Sequence, residues 1–133
     1  MSPHLLRTFA TVVPGTRVLV AERTTGEHSG PLQALGLAVI RDDVLQHEAE
    51  APEWAVVDVS FDAEVLAGIH QQLKMGGWAY LVWRSAGTAP PPALEAAFTA
   101  AGFVPAGQPA RILEGGGWMW IQIVRKVDAT TPV

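Results

Sequence analysis

"RVLVAERTTGEHSGPLQALG", Arg17 to Gly36, decides how the rest of the chain is read. It opens on an apolar run containing Val18 and Val20, as a strand buried on both faces requires. A polar, glycine-containing turn follows. The stretch closes on "SGPLQALG" (29–36), enough for one or two helical turns, with Pro31 tolerated in the first turn and Gly36 as a C-terminal stop. Strand, glycine turn and helix start are the layout of a nucleotide-binding loop. Yet where such a loop needs small residues, this one has Glu22, Arg23 and Thr24.

The alternation continues outward. "LAVIR" (37–41) reads as a second strand and the acidic "DDVLQHEAEAPE" (42–53) as a solvent-facing loop or short helix. "WAVVDVS" (54–60) is a third strand ending in Asp58 and Ser60, and Asp62 is placed to cap the helix after it. In that helix Val65, Leu66, Ile69 and Leu73 share one face, and Gly76-Gly77 stops it. "WAYLVWR" (78–84) is a fourth strand; a proline-rich loop leads to a helix with Leu94, Ala97, Phe98 and Ala101 at helical spacing, ended by Gly102. "FVPAGQPARILEGGG" (103–117) reads as an edge strand plus turn, and "WMWIQIVRK" (118–126) as a last strand packed on both faces. Upstream, Leu5, Leu6 and Phe9 form a helical lead-in broken by Pro14-Gly15, and "VDATTPV" (127–133) is expected to fray.

Strands alternating with helices predict an α/β fold, a three-layer sandwich with a mainly parallel sheet of about six strands. No helix separates the last two strands, so they are expected to form a carboxy-terminal antiparallel hairpin through Gly115–Gly117, at or near one edge. No repeat or internal boundary divides residues 1–133, which are read as a single domain.

Composition narrows the function. Of the 133 residues 49% are hydrophobic and 17% charged, a globular balance. The net charge of −4 and nine scattered basic residues, of which only Arg125 and Lys126 are adjacent, argue against a nucleic-acid partner. There is no cysteine for a disulfide or a thiolate zinc site. No targeting pattern and no run of ~20 apolar residues is found, so no membrane is expected and a cytoplasmic protein is the default. His4, His28, His47 and His70 lack paired ligand spacing, and no metal site is expected from them. His28-Ser29 has the look of part of a hydrolase pair, but there is no GxSxG elbow and no evident acid partner.

Three signals in order, "GTRVLVAERTTGEHSGPLQALG" (15–36), "LKMGGWAYLVW" (73–83) and Ala101-Gly102-Phe103, make the chain from Gly15 to Lys126 resemble a class I S-adenosylmethionine-dependent methyltransferase. The resemblance implies a Rossmann-like methyltransferase sheet and a cofactor loop after the first strand. Laid over this chain, the loop's acidic position falls on Val20, its first two glycines on Glu22 and Thr24, and only Gly26 survives. Implied cofactor contacts are therefore Glu22, Thr24, Gly26 and, for the ribose hydroxyls, Asp42 with Asp43 beside it. Glu22 puts a carboxylate where the cofactor's own carboxylate would lie. Between Ile40 and Trp54 there is too little chain for helix, strand and helix, so the family's third strand and the wall that holds the adenine are expected to be missing. Asp58, at the carboxyl edge of the third strand, is the one weak catalytic candidate; a capping aspartate is its plainer reading.

The expectation is a methyltransferase-like protein that has become a degenerate, non-catalytic interaction or binding module without a cofactor. The alternative is an active methyltransferase using S-adenosylmethionine. A further alternative is a degenerate receiver-like signalling domain, with Glu22, Asp58, Ser85 and Gln108-Pro109 in suggestive order but without the lysine or the final helix. Trp78, Trp83, Trp118 and Trp120 fall on two strands that the methyltransferase order makes neighbours, which core packing explains most simply. The truncated sheet would leave strand 37–41 as an open edge, and a homodimer or another protein partner is expected there.

Overall fold

Val18, Leu19, Val20 and Ala21 are all buried, because strand β1 (Arg17–Glu22) runs inside a sheet with helices on both faces. The computed structural model describes residues 3–22, 26–41, 51–58, 63–84, 92–114 and 117–127. After α1 (Pro3–Phe9) and β1 come α2 (Ser29–Ala34), β2 (Ala38–Arg41), β3 (Trp54–Asp58), α3 (Ala63–Gln72), β4 (Trp78–Arg84) and α4 (Pro92–Ala100). The chain then closes with β5 (Phe103–Pro105), β6 (Ala110–Glu114) and β7 (Gly117–Lys126).

The strands form one seven-stranded sheet in the order β2-β1-β3-β4-β7-β5, with β6 also on β7. β2, β1, β3 and β4 are parallel, and β7 runs antiparallel to β4. The expected hairpin is present, β6 meeting β7 with Glu114 opposite Gly117. The sheet has seven strands where about six were expected, because segment 103–117 supplies two. β5 pairs with Val124–Lys126 and β6 with Gly117–Ile121 along the edge of β7 that β4 leaves open. Between them Pro109 has no N–H to give to a ladder. The Gln122 side-chain amide donates instead to the carbonyls of Gly107 (3.1 Å) and Ile123 (2.9 Å).

Each sheet face carries its own core. On one, Leu66, Ile69 and Leu73 of the α3 region and Leu94 and Phe98 of α4 pack on Leu19, Val57, Leu81 and Val124. On the other, Leu5 and Phe9 of α1 and Leu32 of α2 pack on Val18, Val20, Val56, Tyr80 and Ile121. Phe9 stands edge-on to Trp54, ring centroids 4.9 Å apart, so the helical lead-in is a core element. The tryptophans divide: Trp83 and Trp120 face each other across β4 and β7, Trp54 stacks on Trp78, and Trp118 is exposed beneath the Arg111 guanidinium.

The "LKMGG" turn is shaped by close approach. A Cβ on Gly77 would lie 2.8 Å from the Lys74 carbonyl oxygen and 2.9 Å from that of Glu53. The same turn joins the starts of β3 and β4, since Trp78 N–H donates to the Glu53 carbonyl. Val127, expected to fray, is held: its N–H donates to Gly102 O and its carbonyl bonds His70 Nε2. Among the described residues β2 ends the sheet; the interval on which the expected loss of a strand falls includes residues 42–50, which lie outside the described residues. Asp62, proposed as a cap, falls outside the described residues. Among those described, no helix is long and apolar enough to cross a membrane.

Candidate functional site

β1 and β3 are parallel neighbours in a register that pairs Glu22 with Asp58, so both acids end their strands side by side. This is the carboxyl edge, where open α/β sheets bind ligands. The chain leaves β1 at Glu22 and enters α2 at Ser29. Gly26 has φ of +88°, a conformation strained for any residue with a Cβ, which explains why this one glycine of the loop pattern is still needed.

Glu22 does not project into open space. Its Oε1 accepts hydrogen bonds from Gly26 N–H (2.8 Å) and the Ser29 hydroxyl (2.7 Å). Its Oε2 accepts from His28 N–H (2.7 Å) and Ser29 N–H (3.2 Å). One carboxylate thus satisfies three backbone donors and a hydroxyl. Burial pushes the Glu22 carboxyl upward, but the bonds from His28 N–H, the Ser29 hydroxyl, Gly26 N–H and Ser29 N–H outweigh it and hold it below the usual glutamate range.

The same turn carries His28 into the protein. His28 is 4% exposed and Asp58 is 1% exposed, and His28 Nε2 lies 2.8 Å from Asp58 Oδ2. The other ring nitrogen, Nδ1, is buried without a hydrogen-bond partner. Glu27 adds a carboxylate: one donor atom each from Glu27, His28 and Asp58 lie within 4.8 Å of one another.

Glu22, Gly26 and Asp58 of the sequence-derived set are therefore brought together, whereas Thr24, Asp42 and Asp43 lie outside the described residues. Glu27 and His28 were missed as site residues. His28 was read as lacking an acid partner; its partner is Asp58, 30 residues away in sequence. The strand order held the only signal, because a turn leaving β1 must pass the end of β3. A separate cavity of about 380 Å³, lined by Thr16, Arg17, Glu53 and Lys74 among others, lies at the opposite, amino-terminal ends of the strands.

No family model matches the sequence, and no curated protein does. Solved structures do match in fold. The 1,6-didemethyltoxoflavin-N1-methyltransferase of Burkholderia thailandensis, solved with 1,6-didemethyltoxoflavin and S-adenosylhomocysteine, superposes with a TM-score of 0.72 at 16% identity, covering 95% of this chain and 77% of its own. The N-methyltransferase NodS of Bradyrhizobium japonicum gives 0.64 at 12% identity, covering 94% and 93%. A SAM-dependent methyltransferase of Methanosarcina mazei gives 0.62 at 12% identity, covering 96% and 98%. The chain has the Rossmann-like fold of the class I methyltransferases, in a divergent and shortened form.

The backbone donors of the turn, which the resemblance would turn to the cofactor's carboxylate, hold that of Glu22. The receiver-like alternative fits poorly. A receiver's fifth strand is parallel, whereas β7 is antiparallel to β4, and Asp58 is buried against His28 rather than open to a phosphodonor.

Proposed function

We infer that this protein is a non-catalytic binding or interaction module on a methyltransferase fold, and that it does not use S-adenosylmethionine. The observation that carries this reading is the Glu22 carboxylate, which takes the backbone donors of Gly26, His28 and Ser29 from within the chain. Hydrogen bonds to a charged group contribute roughly 1.5–3 kcal/mol each when sheltered. Glu22 is partly exposed, so the lower figure is the better guide. A ligand carboxylate would still have to displace a covalently tethered rival and then lie beside it.

The short interval between Ile40 and Trp54 supports the same reading, with β2 ending the sheet among the described residues. Among the described residues no strand pairs with the outer side of β2, which makes a second copy of the chain the expected partner. One feature favours the alternative of an active methyltransferase: the Gly26 turn keeps its positive φ and its N–H groups still converge on a carboxylate.

Titration calorimetry with S-adenosylmethionine and S-adenosylhomocysteine separates the two. No binding is expected at millimolar ligand. Micromolar binding would overturn the non-catalytic reading and turn the search to substrates.

A further inference from the structure

The geometry points to a divalent transition-metal site at the carboxyl edge of β1 and β3, formed by Glu27, His28 and Asp58. One donor atom from each residue lies within 4.8 Å of the others. Two of the three residues, His28 and Asp58, are more than nine-tenths buried. A buried imidazole normally has both nitrogens satisfied, and His28 Nδ1 has no partner.

The His28–Asp58 contact is already close to a ligand pair. Nε2 and Oδ2 are 2.8 Å apart. Two such atoms at ~2.0–2.2 Å from a common ion would subtend roughly 85°, the angle of neighbouring ligands in an octahedron. The ion takes Nε2 out of the hydrogen bond, and the single proton of the neutral ring moves to Nδ1, which has no partner of its own. A half-buried Glu27 supplies the third ligand, and water completes the shell.

Charge favours the same conclusion. Glu27 and Asp58 bring two carboxylates to one imidazole. One nitrogen and two oxygens suit Zn²⁺, Co²⁺ or Mn²⁺ better than Mg²⁺, which prefers oxygen and retains its waters. Neighbouring positions in sequence and the turn at Gly26 place Glu27 and His28, while the register of β1 on β3 places Asp58.

The test is a titration of chelator-treated protein with ZnCl₂ by calorimetry and with CoCl₂ by visible absorption. One equivalent is expected to bind, with a Co²⁺ d–d band. Glu27→Gln and Asp58→Asn are each expected to weaken Zn²⁺ binding at least about tenfold. His70→Gln, which alters a histidine bonded to Val127 O instead, is expected to leave it unchanged. Glu27 is only half-buried, so its variant keeps the test open if Asp58→Asn fails to fold. On the unmodified protein, Mn²⁺ is expected to broaden the NMR signals of His28 and Asp58 first. Absence of a one-equivalent site, unchanged affinity in Glu27→Gln, or broadening centred elsewhere would overturn the proposal. This readout is separate from cofactor binding, so either conclusion can fail alone.

Discussion

Glu22 stands where a glycine is expected, and its side chain folds back onto the turn that the glycine would have left open. The sequence identified the residue as an obstacle through charge repulsion. The proposed function rests on a different physical reason, occupation of the donors, which depends on a backbone conformation no residue pattern specifies. The carboxylate acts as a cap, so Glu22→Ala is expected to lower stability by about 1–2 kcal/mol in urea unfolding. Because the Glu22 pKa is lowered on folding, its contribution is complete above the ordinary glutamate value of about 4.3 and is lost as pH falls through the depressed folded value. The stability gap between wild type and Glu22→Gln is therefore expected to be constant near neutrality and to close below about pH 4. Thermal melts across that range measure it. A Glu22→Gly, Thr24→Gly variant is expected to gain affinity for S-adenosylhomocysteine only if the remainder of the pocket exists; calorimetry with the variant measures it. His28 shows the limit of reading residues in isolation. Its partner lies 30 positions away, and only the adjacency of β1 and β3 joins them.

At the scale of elements, apolar runs were enough to locate β1, β2, β3, β4 and β7, because strands buried on both faces need continuous apolar sequence. Segment 103–117 was harder. Its prolines and glycines marked an edge, but a break at 106–109 that leaves β5 and β6 on the same side of β7 depends on Gln122 reaching across to Gly107. Two glycines make opposite tests of local packing. Gly77→Ala is expected to cost about 1–3 kcal/mol, since its Cβ would meet two backbone carbonyls that cannot move independently. Gly68→Ala, within α3 and facing open space, is expected to stabilise by about 0.5–1 kcal/mol. Chemical denaturation of the two variants reads both signs. Phe9→Ala is expected to cost about 3–5 kcal/mol, because Phe9 anchors α1 against Trp54 and Tyr80.

Over the whole molecule, methyltransferase architecture persists at 12–16% identity to the solved enzymes described above. What made it legible was a small set of constrained turns, above all Gly77, whose surroundings exclude a Cβ. The candidate site was legible only as a departure from pattern, since the Glu22 bonds are three-dimensional facts. The β2 edge makes a homodimer the expected assembly, and light scattering at high concentration is expected to give twice the 14.2 kDa chain mass. A monodisperse monomer would remove that proposal without touching the reading of the turn. The most direct test of the turn is an amide NMR titration of the unmodified protein with S-adenosylhomocysteine, following Gly26, His28 and Ser29. These signals are expected to stay in place at millimolar ligand, with Glu22 keeping its bonds. Saturable shifts at micromolar ligand would show the donors available to the cofactor and contradict the self-occupied site.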